Sequence, residues 1–172
     1  MALSFYEISV PTYQQFLRAL IGVLDKGEKH CTEKGIDPAS ILATRLIDDM
    51  QPFAFQIMMA VAHSAGAVAA IRGQQRPRPS AIDSFAGAKK AIEEALAEFE
   101  AIEPADLEDA ASKLVELKFP GRELKFNGLG YLQTYAMPQF FFHVTTAYDI
   151  LRHKGVPVGK RDFLGRIQLL TT

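Results

Sequence analysis

Residues 140–165 read FFFHVTTAYDILRHKGVPVGKRDFLG. The first half reads as the end of a long, largely buried helix running from about Gly128 to Lys154. Pro138 is its expected kink and Gly155 its stop, because proline removes an intrahelical hydrogen bond and glycine accepts the left-handed conformation that ends a helix. A single histidine, His143, follows three phenylalanines inside that helix. Such a residue can be a metal ligand, a general base, or a core side chain with a satisfied hydrogen bond. The tail from Val156 onward carries no comparable pattern and is expected to be packed coil or a short extended piece.

Three further helices lie upstream. The first spans about Ser9 to Lys34, where Tyr13, Phe16, Leu17, Leu20, Ile21 and Leu24 recur at steps of three and four and so share one helical face. Gly35 closes it. Asp37-Pro38 then opens a second helical segment, with Asp37 as cap and Pro38 at the first helical position. That segment is expected to hold to about Met50, bend at Pro52, and continue as a long helix, rich in alanine and methionine, to about Arg72. Gly73 and QQRPRPS follow as a linker. Asp83 is the expected cap of the third helix, from about Ser84 to Ile102, whose stripe is Phe85, Ala88, Ile92, Leu96 and Phe99. PADLEDAA adds a single turn. LVELKFPGRELKFNG alternates apolar and polar residues around Pro120-Gly121, which predicts a hairpin pairing Val115–Phe119 with Glu123–Phe126. Four helices with these stripes predict an all-α, antiparallel four-helix bundle with a small β-hairpin between the third and fourth helices. Its sites would lie between facing helices.

The chain of 172 residues is the length of one domain, 1–172, with 48% hydrophobic and 23% charged residues, as expected of a globular protein. Its net charge of −1 offers no broad attraction to nucleic acid or to an anionic membrane. The richest apolar stretch, Phe53 to Ile71, is interrupted by Gln56, His63 and Ser64, so no membrane span is expected. The N-terminus lacks a basic region followed by an apolar signal core, and MALSFYEISV reads as the start of a helix. Cys31 is the only cysteine, which excludes an intrachain disulfide and a thiolate metal cluster and points to a reducing cytoplasm.

The chemistry-bearing residues centre on His63 and His143, each in the middle of an apolar helix. Neutral imidazoles suit zinc, nickel or iron. A catalytic metal, however, normally takes about three protein ligands, and helix spacing supplies only two here. Gln139 and Ala147 stand four residues either side of His143. Asp149 lies about 120° round the helix from it, and His153 about 15 Å along the axis. Asp48 and Asp49 lie about 20 Å from His63 by the same rise. Three readings stand: a metal site, a pair of neutral core histidines with satisfied hydrogen bonds, and a small-molecule pocket in which histidine donates or accepts a proton. Gln56, two turns before His63, forms a polar stripe with Gln139. Tyr131, Tyr135 and Tyr148 are further hydrogen-bonding candidates. GVPVGKRD lacks the spacing and the strand–loop–helix context of a phosphate loop. RGQQRPRPS, with three arginines, reads as solvated loop.

In combination, RLIDDMQPFAFQ (45–56), AHSAGAVAAIRG (62–73) and the block from Phe140 to Gly165 resemble the bacterial family known as domain of unknown function 1993, over nearly the whole chain. That family is similar in architecture to the DinB-like helical bundles, which include metal-dependent hydrolases and thiol transferases and often form dimers. The resemblance implies a DinB-like bundle and a homodimer. DinB-like enzymes typically use one histidine from the second helix and a pair spaced by four on the fourth. His63 matches the first and His143 one of the pair, while Gln139 and Ala147 stand where the other belongs. The expectation is an uncharacterised, cytoplasmic DinB-like protein with a degenerate metal or small-molecule site between the second and fourth helices. His63 and His143 flank that site, with Gln56, Tyr135 and Gln139 around it. A divalent zinc, nickel or iron is the cofactor considered. The alternatives are a metal-dependent hydrolase or thiol transferase and a non-catalytic dimeric binding or structural protein.

Overall fold

A computed structural model describes residues 3–170, and they form a mostly helical protein with one small antiparallel hairpin. The first helix, α1, is Phe5–Lys34. It begins a turn earlier than the apolar stripe alone indicates. Ser4 accepts from the Glu7 N–H while the Glu7 carboxylate accepts from the Ser4 N–H, a reciprocal cap that starts the helix. Gly35, at φ 63°, ends it in the left-handed conformation that a side chain would strain. Of the expected helical start at residues 1–10, the first two lie outside the described residues.

Asp37 caps α2, Pro38–Leu42, by accepting from the Ala39 N–H. This helix stops well short of Met50, and residues 43–52 run as turns, bends and irregular chain. Pro52 therefore does not kink a helix. It stands at the entrance of α3, Phe53–Ile71, where its missing N–H costs nothing. By length and composition alone, α3 could cross a membrane, which corrects the expectation that no segment reaches that size. More than half of it is buried inside the protein. The cap of α4, Phe85–Glu100, is Ser84 rather than Asp83, its hydroxyl accepting from the Gly87 N–H. Pro104–Leu107 supplies the expected single turn.

Strands β1, Leu114–Phe119, and β2, Arg122–Asn127, pair in the expected register, with Val115 opposite Phe126. Their connection to the next helix is tight. A Cβ on Gly128 would come within 1.8 Å of the Ala110 carbonyl oxygen, so only glycine fits there. The last long helix starts as α5, Gly128–Tyr131, widens into a π-helical turn over Leu132–Ala136, and continues as α6, Met137–His153. The wide turn lies just before Pro138, where the helix must absorb the missing N–H and the bulk of the ring. The tail is not plain coil: Lys160–Leu164 forms a short helix, α7, packed on α1.

Helix α1 packs on α4 and α6, and α3 packs on α4 and, most extensively, on α6. Phe53, Phe85, Phe99 and Phe140 are completely buried among these helices, each stabilising the fold by about 2–3 kcal/mol. The ring of Tyr13 joins them, stacked on Phe99 and edge-on to Phe140. The α3–α6 seam is the one that matters for the site.

Candidate functional site

Gln56 and His63 are seven residues apart on α3 and so project from one face two turns apart. His143 faces them from α6. The His63 and His143 rings lie parallel, within 4°, with centroids 5.6 Å apart. The seam thus brings together two side chains that are eighty residues apart in sequence.

A hydrogen-bonded chain orients the inner ring. The Gln56 side-chain NH2 donates to the Gln51 carbonyl at 2.8 Å, which turns its oxygen toward His143. The His143 Nδ1 lies 2.7 Å from that oxygen. Since the oxygen can only accept, Nδ1 carries the proton and Nε2 keeps its lone pair. Gln56 is 2% exposed and His143 7%, so the bond is sealed from solvent. Burial pushes His143 down from 6.5 to about 4. Burial, then the charges of His143 and Arg78, push His63 down to about 4 as well. Both rings are neutral at physiological pH.

His63 is half-buried and faces a cleft of about 280 Å3 beside the hairpin. Met59, Ala62 and Gly66 of α3 line it, with Tyr131 and Tyr135 opposite and Glu116–Phe119 of β1 on a third side. Tyr135 meets the His63 ring edge-on at 5.8 Å and stacks on Tyr131 at 5.7 Å. Burial, with Tyr135 beside it, pushes the Tyr131 hydroxyl up to about 12, so it remains a donor.

Gln56, His63, His143 and Tyr135 therefore form one cluster. Gln139 does not join it. It lines a neighbouring hollow with Thr134, Tyr135, Pro138 and Phe142, and Tyr135 is the residue that this hollow shares with the cleft that His63 faces. Asp48 and Asp49 are exposed and remote in the turn before α3. Two contributors were not legible in the sequence. The linker after α3 folds back so that Arg76, Pro77 and Arg78 line the cleft, and β1 closes it. The only sequence signal for the former was the arginine content of RGQQRPRPS.

The donor set does not fit a resident catalytic metal. Among the described residues no group of three or more histidine, cysteine, aspartate or glutamate side chains converges to hold an ion. His143 also has Nδ1 committed to Gln56, so this pair offers at most one lone pair from each ring.

The fold places the chain among the DinB-like helical proteins. A solved structure of a DinB family member protein from Shewanella denitrificans superposes with a TM-score of 0.86 at 30% identity, covering 97% of this chain and 95% of that one. No curated protein matches the chain. The profile described as Domain of unknown function (DUF1993) matches residues 5–164, and the chain belongs to that family.

Proposed function

We propose that the chain is a four-helix bundle of the DinB kind whose former metal position has become a small-molecule site. The neutral His63–His143 pair serves it as a fixed hydrogen-bonding surface. The observation that carries this is the Gln51–Gln56–His143 relay. It holds the inner imidazole in one tautomer, as a second-shell partner does for a metal-bound histidine, yet two donors stand where a catalytic ion needs about three. A ligand in the cleft would find in His63 a neutral acceptor or donor, supported from behind by the parallel ring of His143. The Tyr131 and Tyr135 rings would supply apolar contact.

One observation favours a second function, a metal-dependent hydrolase or thiol transferase. The two imidazoles come one from α3 and one from the last long helix, as the DinB-like metal sites do, and a water, substrate or partner chain can add ligands. The homodimer belongs to the same proposal, and light scattering on dilution tests it.

Elemental analysis of protein purified without a histidine tag decides between the two. We expect no stoichiometric zinc, nickel or iron, together with chemical-shift changes at His63 on adding small cleft ligands. Stoichiometric metal that disappears in both His63→Ala and His143→Ala would overturn the small-molecule reading in favour of the metalloenzyme.

A further inference from the structure

Resting on the cleft as the ligand site, we propose that its ligand is a small organic acid. Its carboxylate is held by Arg78 and its apolar body lies against Tyr131 and Tyr135. Four charged side chains line the cleft: Arg76, Arg78, Glu116 and Lys118. Arg76 is committed to Glu98 on α4 through a two-pronged contact at 2.7–3.0 Å. Glu116 is held by Lys125 at 2.8 Å. Lys118 lies 4.0 Å from Glu123, both exposed, and its charge also acts on Glu116. Arg78 is exposed and also lines a neighbouring hollow that holds Glu94 and Glu98, yet among the described residues it forms no ion pair. One guanidinium without a counter-ion, with a weakly held ammonium nearby, thus faces a cleft whose one carboxylate is already neutralised.

The local chain suits Arg78 to that role. It sits between Pro77 and Pro79, which restrict the backbone on both sides. The Arg76–Glu98 fork anchors the same segment two residues away. A cation on a backbone already held in place loses little further freedom on binding, and a guanidinium matches a carboxylate with two parallel N–H donors.

The remaining walls set the body of the ligand. They are the Tyr131 and Tyr135 rings and the small apolar surface of Ala62 and Gly66, and a Cβ on Gly66 would meet nothing within 4 Å. A cleft of about 280 Å3 is at the small end of ligand sites, the size of a monocyclic acid and not of a nucleotide. His63, neutral beside Arg78, adds a hydrogen bond without a competing charge.

The test titrates the full-length protein with benzoate and with its neutral isostere benzamide, following the His63 imidazole by NMR. Benzoate is expected to shift His63 and to bind about tenfold more tightly than benzamide, the discrimination expected of one charged contact. Arg78→Gln should remove that preference and leave benzamide binding unchanged, while Arg78→Lys should retain part of it. Equal affinity for benzoate and benzamide, or an unchanged preference in Arg78→Gln, overturns the assignment of an acid while leaving the cleft itself in place. Inorganic phosphate binding as tightly as benzoate overturns the apolar half of it. A His63 signal indifferent to every probe removes both the acid and the cleft on which it rests.

Discussion

Replacing Gln56 with methionine keeps the length of the side chain and the helix around it, but removes the oxygen that His143 uses. In the native protein that oxygen lies 2.7 Å from Nδ1, between residues 2% and 7% exposed, so no water stands ready to replace it. A buried donor left without a partner costs about 1–3 kcal/mol, whereas the net contribution of an ordinary hydrogen bond is nearer 1. The second bond lost, from Gln56 to the Gln51 carbonyl, costs less, because Gln51 is exposed and its carbonyl can turn to water. The expected loss is about 2 kcal/mol, or roughly 4–8 °C in Tm for a chain of this length. Urea denaturation at pH 7.5 reads it directly, provided the slope is unchanged. The decisive comparison is a double-mutant cycle with His143→Phe, which removes the orphaned donor but keeps a ring in place. Gln56→Met should cost much less in that background, with a coupling of about 1 kcal/mol or more. A loss below about 0.5 kcal/mol in the wild type, or additivity with His143→Phe, would refute the relay and the tautomer inferred from it.

The same pair makes the protein sensitive to acid. An imidazole held at about 4 when folded and 6.5 when unfolded binds its proton preferentially in the unfolded chain. The stability is therefore full above about pH 6.5 and falls as the pH drops toward 4, by about 1–2 kcal/mol per ring after discounting for partial solvent access. Denaturation measured at pH 7.5 and 4.5 should show this fall, and it should shrink in His63→Phe/His143→Phe; an undiminished fall would place the acid sensitivity elsewhere. Gly128→Ala should destabilise by about 3 kcal/mol or fail to fold, because its Cβ lands on the Ala110 carbonyl and the helix start must shift. Thermal denaturation with wild-type Tm would contradict that contact. Gly66→Leu should leave the fold intact, or stabilise it by up to about 1 kcal/mol through helix propensity, while filling the cleft. Unchanged benzoate binding in that variant would show that ligands enter elsewhere.

Local chemistry alone determined much of this protein. Gly35, Asp37-Pro38 and the Pro120-Gly121 turn announce their caps and hairpin in the sequence, because each is a backbone conformation that a few neighbouring residues enforce. Ser84, not Asp83, caps α4, since either side chain can do so and only the chain path selects between them. By sequence alone Pro52 and Pro138 each predict a kink in a continuous helix. One instead opens α3, and the other follows a widened turn, because a proline marks a break in hydrogen bonding without saying how the chain absorbs it. His63, His143 and Gln56 stood out in the sequence as polar groups in apolar helices. That the two rings stack at 5.6 Å, that Gln56 rather than Gln139 bonds to one of them, and that Arg78 returns to the same cleft were decided by packing between distant segments. Periodicity gives the face of a helix on which a side chain lies, but not the rotation and height at which two helices meet, and the chemistry of this cleft depends on those two quantities.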